Sequence, residues 1–481
     1  MRLSNATLAV LPASVQRPAY DRATVTPGIV HLGVGAFHRA HQAAYVDACL
    51  AAGETGWGII GASLRSRETR DALGPQHGLY TLAVREDTSE DLIVTGSILG
   101  LLVAPEDPAA LLAAMVDPRV RIVTLTVTEK AYLRNAAGDL DTAHPDIQAD
   151  LADPAHPKTA HGFIVEALAR RRAAGAQPFT VLSCDNLPNN GVTTRRVVSQ
   201  FAALRDPELG RFVAEEVAFP SSMVDRIVPA TTDADRARVS ASLGVTDAWP
   251  VLTEPFMQWV VEDHFTAGRP DWERFGVTMV ADVTPYEEMK LRLLNGTHSS
   301  IAYLGQLLGL ETVAEAFADP AIRRFVDGLW QDFIATLPAD AGLDTDDYIQ
   351  RLASRYANTA LRHRTAQIAN DGSQKLPQRI VAATLDRMEE GLPIERSALV
   401  LAAWITALGA RGTPPAFTDP LDGALAPVLA GEHDPAALVE AVFAVTGFAA
   451  SSPHRGALIA RTAAALSLIR ERGISAALDA V

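Results

Sequence analysis

Short apolar runs rich in β-branched residues alternate with helix-like segments through the first half of the chain. Helix-like segments cover residues 108–116, 161–174 and 193–204. The apolar runs span residues 28–33, 57–64, 92–98, 121–128, 179–183 and 224–228. Because the helix between two such strands packs back on the sheet, the strands become parallel neighbours. The alternation therefore predicts an α/β domain built on a mostly parallel sheet.

A glycine-containing turn follows the first of these strands. Gly33 and Gly35 stand between strand 28–33 and a helical segment that opens with Ala36 and Phe37. Two glycines let the backbone turn sharply, and they let a pyrophosphate approach the N-terminus of the helix. The third glycine of the usual dinucleotide motif is absent, so a plain strand-to-helix turn is the alternative. With the alternation, the turn favours a Rossmann-type dinucleotide-binding domain.

The exit of the second strand carries residues that could select the dinucleotide. In a Rossmann-type fold this position meets the adenosine ribose. Glu68 suits the free 2′-hydroxyl of NAD, whereas Arg65 and Arg67 suit the 2′-phosphate of NADP. The residues alone leave both cofactors open.

Polar side chains follow two further predicted strands. Thr128 ends the strand at 121–128, and Asn186 lies in the Asp- and Asn-rich segment 185–191. Ligands of parallel α/β sheets bind beyond the carboxyl ends of the strands. Both residues are therefore candidates for cofactor contact. Turns stabilised by Asn and Asp side chains are the alternative.

The character of the sequence changes near residue 285, where Ala- and Leu-rich helical segments replace the strands. This change predicts a Rossmann-type domain over residues 1–284 and a mainly α-helical substrate and catalytic domain over residues 285–481. A net charge of −15 argues against a nucleic-acid partner. No apolar run approaches the roughly 18 residues of a membrane span, and the N-terminus lacks the apolar core of a signal peptide. We expect a cytoplasmic protein without a membrane partner.

A segment with a helical pattern at the start of the second domain carries Lys290, Asn295 and His298. Only four of the 42 basic residues are lysines, so arginine serves wherever a plain positive charge suffices. Lysine can lose its proton when it is desolvated, whereas arginine cannot. At about 100° per residue the three side chains can face one cleft. An amphipathic helix with a solvent-exposed lysine is the alternative.

These three residue types together suit the oxidation of an alcohol. Lys290 would be the general base that takes the hydroxyl proton, with its pKa lowered from about 10.4 by desolvation. Asn295 and His298 would donate hydrogen bonds to the oxygen as it gains negative charge. His31, His38 and His41 do not predict a metal site, because they lie in or beside the first strand and its turn.

Four stretches carry a resemblance to a known family. They are Gly28-Ile-Val-His-Leu-Gly-Val-Gly-Ala-Phe-His-Arg-Ala-His-Gln42, Cys184-Asp-Asn-Leu-Pro-Asn-Asn-Gly191, Met223-Val-Asp-Arg-Ile227 and Glu288-Met-Lys290 through Asn295-Gly-Thr-His298. In this order they resemble the long-chain mannitol dehydrogenase family over nearly the whole chain. The resemblance implies a zinc-independent, NAD(P)-dependent secondary-alcohol dehydrogenase that acts on a polyol or keto-sugar. It implies that Lys290 is the base and that Asn295 and His298 stabilise the oxygen. It adds Asn186, Asp225 and Lys375 as further contacts in the active site.

Some positions depart from the mannitol 2-dehydrogenase pattern. Gln367 stands where those enzymes carry a polyol-contacting arginine, and the surrounding run is more similar to the fructuronate reductase branch. A carboxylate-bearing substrate would want a bidentate arginine, for which Arg364 and Arg379 are candidates. Family members that prefer NAD carry acidic residues at both positions 67 and 68, and this chain keeps only Glu68.

The resemblance leads to three ranked expectations for function. Our first expectation is interconversion of D-mannitol and D-fructose with NAD, with NADP as a second choice. The alternative is fructuronate reductase (D-mannonate oxidoreductase) activity on hexuronates and aldonates, and a non-catalytic cofactor-binding module is a remote third. The expected partner is a small molecule, and a monomer fits the family.

Overall fold

The computed structural model describes residues 1–360, 362–413, 415–431 and 434–481. The chain forms two compact units, Met1–Thr284 and Pro285–Val481. Within the described ranges, no helix combines the length and the apolar character that a membrane crossing needs.

The first unit contains all eleven strands of the described chain. They are β1 (Pro27–Leu32), β2 (Gly58–Ser63), β3 (Tyr80–Glu86), β4 (Ser89–Thr95), β5 (Ile98–Val103), β6 (Ile122–Leu125), β7 (Thr180–Ser183), β8 (Ser222–Asp225), β9 (Val251–Thr253), β10 (Gln258–Glu262) and β11 (Thr278–Val280).

Helices of the first unit follow most of these strands. They are α1 (Ala36–Ala40), α2 (Gln42–Ala51), α3 (Glu68–Leu73), α4 (Pro108–Val116), α5 (Pro145–Ala152), α6 (Ala160–Ala173), α7 (Asn190–Arg205), α8 (Pro207–Glu216) and α9 (Asp233–Leu243). Short 3₁₀ helices lie at Asn5–Val10, Arg22–Thr24, Thr55–Trp57, Gly74–Gln76, Glu129–Tyr132 and Trp272–Phe275.

Five strands form the main sheet in the order β5-β2-β1-β6-β7, and every pair in it is parallel. Of these strands β1 comes first in the chain and lies at the centre of the sheet. β2 and β5 add to one edge of β1, and β6 and β7 then add to its opposite edge. This reversal of direction makes the junction of β1 and β6 a topological switch point. The predicted Rossmann-type parallel sheet is confirmed. Two small sheets, β11-β10-β8 and β4-β3-β9, complete the unit.

Both faces of the main sheet are covered, as a parallel sheet requires. On one face the strands pack with α4, α6, α7 and α8 through buried residues such as Leu112, Phe163 and Phe201. On the other face they pack with α2 and with the aromatic pair Trp259 and Trp272. Because the strands are buried on both faces, they read in sequence as continuous apolar runs.

Helices are the regular secondary structure of the second unit, and its described residues form no strand. Its elements are α10 (Thr284–Met289), a π-helical segment (Lys290–Gly296), α11 (Thr297–Leu308), α12 (Val313–Ala318), α13 (Pro320–Ile334), α14 (Thr345–Ala357), α15 (Thr365–Ala369), α16 (Gly372–Leu376), a second π-helical segment (Pro377–Val381), α17 (Ala382–Glu389), α18 (Glu395–Ala410), α19 (Asp422–Ala430), α20 (Pro435–Thr446) and α21 (Arg455–Asp479). The almost entirely buried helix α18 packs against α11 and α21. The predicted mainly helical character of this half is confirmed.

Candidate active site

The glycine turn lies at the switch point, directly after β1. Gly33 has a φ of +95°, and its N–H donates to the carbonyl of Ala62 at 2.8 Å. A Cβ at this position would overlap the carbonyl oxygen of Thr126, which follows β6. Only glycine satisfies both the conformation and the close approach. Glycine at position 33 thus allows the turn to pack closely against the end of β6.

Gly35, the second glycine of the turn, leaves the space beside its Cα open. The Gly35 N–H closes a tight turn on the Gly33 carbonyl at 2.6 Å. A Cβ on Gly35 would meet no neighbouring atom nearer than 3.7 Å. Gly35 is exposed, and Ala36 and Phe37 are half-buried at the start of α1. The turn therefore offers an open backbone surface at the carboxyl edge of the sheet.

The loop after β6 is held by a buried carboxylate. Asp185 accepts the N–H groups of Val127 and Thr128 at 3.1 and 2.8 Å, and the hydroxyl of Tyr132 at 2.8 Å. Burial raises the pKa of Asp185 above its ordinary value. Thr128 has a φ of +73°, which is costly for a residue with a branched side chain. The three hydrogen bonds to Asp185 keep the loop in this conformation.

A single amide joins the end of β7 to the start of β8. The Asn190 Nδ2 donates to the carbonyls of Asp185 and Ser222 at 3.0 and 2.7 Å. The Ser222 N–H donates back to the Asn190 Oδ1 at 2.9 Å. Asn186 is exposed just beyond β7, and Asp225 is buried at the end of β8. Asn190 thus ties the segment that carries Asn186 to the start of β8, the strand that ends at Asp225.

The residues after β2 that could select a dinucleotide are exposed. Arg65, Arg67 and Glu68 all lie on the surface beyond the strand. Arg67 pairs with Asp71 at 3.4 Å, one helical turn along α3. This ion pair is exposed to solvent and therefore weak, so Arg67 stays a candidate for the ribose beside Arg65 and Glu68.

In the second unit, Lys290 begins the first π-helical segment. The sequence pattern predicted an ordinary helix, in which Lys290 and Asn295 lie about 140° apart. This expectation was wrong for the segment Lys290–Gly296, where hydrogen bonds join residues five apart. A spacing of five therefore places Lys290 and Asn295 about one turn apart on the same side. π-helical turns of this kind are frequent at functional sites.

The carbonyls of the π-helical segment are bound by side chains of other helices. The Trp330 Nε1 donates to the carbonyl of Leu293 at 3.1 Å, and the Tyr356 hydroxyl donates to that of Leu294 at 2.9 Å. The Thr297 hydroxyl also donates to Leu293. These bonds stabilise the wider turn, because they satisfy backbone groups that a regular helix would satisfy internally.

The two π-helical segments touch at a glycine. A Cβ on Gly296 would lie 2.7 Å from the carbonyl oxygen of Arg379 and 3.0 Å from the ring of Phe333. Glycine at position 296 therefore permits the close approach of the segments Lys290–Gly296 and Pro377–Val381. The segment with Lys290 and the helix with Lys375 are fixed relative to each other by this contact.

His298 lies in a positively charged environment. Its ring stacks on Tyr356 at 5.5 Å and meets the edge of the His363 ring at 4.8 Å. Burial, followed by the charges of His363 and Arg379, holds the pKa of His298 well below its usual value. Arg355 and Lys375 act in the same direction. The imidazole is therefore neutral near pH 7.

The Asn295 amide has an unused acceptor. Its Oδ1 atom is buried and has no hydrogen-bond partner within the part of the chain that the structure describes. A buried amide oxygen left unpaired costs about 1–3 kcal/mol. Lys290, which is only 8% exposed, begins the same segment. The segment thus combines a desolvated lysine with an amide oxygen that has no hydrogen-bond partner among the described residues.

The other candidates of the second unit divide into two groups. The Lys375 Nζ donates to the carbonyl of Asn370 at 2.7 Å, and the Arg379 Nη1 donates to the Ser299 hydroxyl at 3.1 Å, beside His298. Arg364 instead lies 63% exposed, 3.6 Å from Glu311. Of the two arginines proposed for a substrate carboxylate, Arg379 acts on His298 and binds its neighbour Ser299, whereas the Arg364 side chain is exposed beside Glu311.

Sequence reasoning missed two residues that contact His298. Tyr356 and His363 belong to distant segments. His363 lies in the polar run around Gln367, but nothing in the local sequence indicates that either ring contacts His298. Within the described residues, no group of three or more His, Cys, Asp or Glu side chains could hold a metal ion.

The doubly wound parallel sheet, the glycine turn at its switch point and the lysine-containing cluster define a class, the Rossmann-type dinucleotide-dependent oxidoreductases. The family model for the mannitol dehydrogenase Rossmann domain matches residues 27–274, and that for the mannitol dehydrogenase C-terminal domain matches residues 282–450. The chain therefore belongs to the mannitol dehydrogenase family.

Known relatives cover most of the chain. It is 45% identical to mannitol 2-dehydrogenase of Cereibacter sphaeroides, over 81% of this chain and 83% of the relative. It is 41% identical to D-mannonate oxidoreductase of Escherichia coli strain K12, over 95% and 96% of the two chains. The solved ternary complex of Pseudomonas fluorescens mannitol 2-dehydrogenase with NAD and D-mannitol has a TM-score of 0.85 and 40% identity, over 100% of this chain and 99% of that one.

Proposed function

We propose that this protein is an NAD-dependent secondary-alcohol dehydrogenase that interconverts a C5–C6 polyol and its ketose, with D-mannitol and D-fructose as the type pair. The observation that carries the proposal is the π-helical segment Lys290–Gly296, in which the buried Lys290 and Asn295 lie on the same side and which ends two residues before His298. The names of the relatives, mannitol 2-dehydrogenases among them, support the substrate class.

The first unit fits a dinucleotide. Gly35 leaves open space at the switch point, and Thr128 and Asn186 lie in the loops that follow β6 and the neighbouring β7. Gly33, Gly35, Ala36 and Phe37 would hold the pyrophosphate side, with Arg65 and Glu68 at the ribose. When bound, NAD would accept the hydride from the alcohol carbon.

The residues of the second unit would handle the alcohol oxygen. Lys290 would take the hydroxyl proton on its Nζ atom, and desolvation favours the neutral amine that this step needs. Asn295 and the neutral His298 would each donate a hydrogen bond to the oxygen as negative charge develops. In the reverse direction the Lys290 ammonium would return the proton. Asn186, Asp225 and Lys375 would orient the rest of the substrate.

A second candidate function is the reduction of a hexuronate such as fructuronate to its aldonate. The observation in its favour is the concentration of cations around His298, namely Arg355, Lys375 and Arg379. A carboxylate on the substrate would be attracted to such a site. The D-mannonate oxidoreductase relative adds support.

The two functions separate in one steady-state experiment. Formation of the reduced dinucleotide is followed by its near-ultraviolet absorbance with mannitol, sorbitol, arabinitol, mannonate and altronate, each with NAD⁺ and with NADP⁺. Turnover of the neutral polyols with NAD⁺ is expected. Turnover confined to the aldonates would replace the first function by the second, and the absence of turnover on every substrate would refute both.

Matched variants then test the residues. Lys290→Ala should lower kcat by about 10²–10⁴-fold while dinucleotide binding persists. Lys158→Ala is the control, because Lys158 is exposed and lies in the first unit. If Lys290→Ala retained wild-type turnover, lysine would have no part in the reaction. Arg379→Gln and Arg364→Gln form a second pair, of which only the first should weaken any aldonate activity.

A further inference from the structure

A buried histidine beneath the glycine turn has both ring nitrogens bound by threonines. His31 in β1 is fully buried. Its Nδ1 lies 2.8 Å from the Thr124 hydroxyl, and its Nε2 lies 2.9 Å from the Thr126 hydroxyl. Thr124 belongs to β6 and Thr126 follows it, so the ring spans the two strands at the switch point. Neither nitrogen is left to bind a metal.

The Gly33 carbonyl determines which partner donates in each of these hydrogen bonds. The Thr126 hydroxyl donates to the Gly33 carbonyl at 2.8 Å, and a carbonyl can only accept. Thr126 must therefore accept from the His31 Nε2–H, which leaves the His31 Nδ1 to accept from Thr124. Burial lowers the pKa of His31 to about 3, so this neutral tautomer persists across the physiological range.

The same ring also supports the other end of the turn. His38, in α1, stacks flat on His31 with ring centroids 3.4 Å apart and planes 10° apart. His31 thus reaches the start of the turn through Thr126 and Gly33, and its end through His38. Gly35, the open backbone surface between these two points, has no side chain of its own to fix it.

We propose that His31 and Thr126 are positioning residues that hold the glycine turn in the conformation that binds the dinucleotide. They act through Gly33 and α1 and do not touch the cofactor. The inference rests on the proposed function, because it requires that a dinucleotide binds at this turn. It assigns Thr126 a role that Thr124 does not share, since only Thr126 bonds to Gly33.

The test compares two threonines that bind the same imidazole. Thr126→Val removes the link to Gly33, Thr124→Val removes only the other His31 contact, and Thr126→Ser keeps the hydroxyl. The dissociation constant of NADH is measured by nicotinamide fluorescence, and kcat is measured at saturating NAD⁺. Thermal unfolding checks that each variant is folded. Thr126→Ala replaces the valine variant if the latter does not fold.

We expect Thr126→Val to raise the dissociation constant of NADH and the KM of NAD⁺ about tenfold, the effect of one lost hydrogen bond. Its kcat at saturating NAD⁺ should stay within about twofold of wild type, and Thr126→Ser should restore binding. Equal losses in Thr124→Val and Thr126→Val, or wild-type binding by Thr126→Val, would overturn the inference. A wild-type protein that binds neither NADH nor NADPH would instead overturn the proposed function, and the inference with it.

Discussion

Gly296→Ala should damage the catalytic segment more than its small size suggests. The added Cβ would lie 2.7 Å from the Arg379 carbonyl, and an ordinary contact begins at 3.4 Å, so the two π-helical segments must separate by about 0.7 Å. Overpacking of this kind costs about 1–3 kcal/mol. A misplacement of about 1 Å can lower a rate about 10²-fold. We therefore expect kcat to fall by about 10- to 100-fold.

The assay pairs this variant with Gly409→Ala. Gly409 lies in α18 with no neighbouring atom within 4 Å of a Cβ, so alanine there should stabilise the protein by about 0.5–1 kcal/mol. Steady-state kinetics would be measured for both variants with the substrate that the panel of polyols and aldonates identifies. Thermal unfolding should show a lower Tm for Gly296→Ala, by about 2–4 °C per kcal/mol, and a Tm at or above wild type for Gly409→Ala.

Two results would contradict a positioning role for the contact at Gly296. Wild-type kcat and Tm in Gly296→Ala would mean that the segments adjust without cost and that their contact does not position Lys290. A fall in Tm with unchanged kcat would also contradict it, because the lysine would then be independent of the contact.

Further predictions concern other parts of the fold. Asp185→Asn should weaken NADH binding about tenfold in a fluorescence titration, because one amide oxygen replaces a carboxylate that accepts three hydrogen bonds; unchanged binding would contradict this. Tyr356→Phe removes the hydroxyl bound to Leu294 and should lower stability by about 1 kcal/mol in urea, with a lower kcat. Burial lowers the pKa of His161 to about 4, so between about pH 6.5 and 4 the unfolded state takes up a proton that the folded state does not, and stability falls as the pH falls. From pH 7 to 5 wild type should therefore lose about 2 kcal/mol more than His161→Leu, and equal losses would refute this. Dialysis against EDTA should leave turnover unchanged, because the proposed base is a lysine.

The main sheet could be predicted because its strands are buried on both faces. Such strands have continuous apolar, β-branched sequences that are easy to recognise. The run at 92–98 was predicted as one strand, yet it spans the end of β4 and the start of β5. β3 and the short strands β9, β10 and β11 were missed. They belong to the two small sheets. The pairing of β9 with β3 joins segments far apart in the chain, which no local pattern records. β3 and β4, in contrast, are consecutive strands of one antiparallel hairpin, a local pattern that the sequence analysis overlooked.

Those residues of the candidate site whose side-chain type suggests their chemistry could be predicted from the sequence. A lysine in an arginine-rich chain drew attention to Lys290, and a run of polar residues drew attention to Asn186. The wider turn of the π-helical segment could not be foreseen, because it depends on hydrogen bonds from Trp330 and Tyr356. Thr297 and Tyr356 are 59 residues apart, and the hydrogen bond between their hydroxyls exists only in the folded protein.

The position of β1 at the centre of the sheet also has a consequence for synthesis of the chain. The His31 ring meets the Thr126 hydroxyl across 95 residues of sequence. At a translation rate of about 5–20 residues per second, roughly 5–20 s separate the emergence of β1 from that of β6. During this interval β1 can pair with β2, but its other edge is unpaired and apolar. Nascent chains of this protein thus expose an unpaired, apolar strand edge for seconds. Such an edge is a target for chaperones, and overexpression would favour its aggregation.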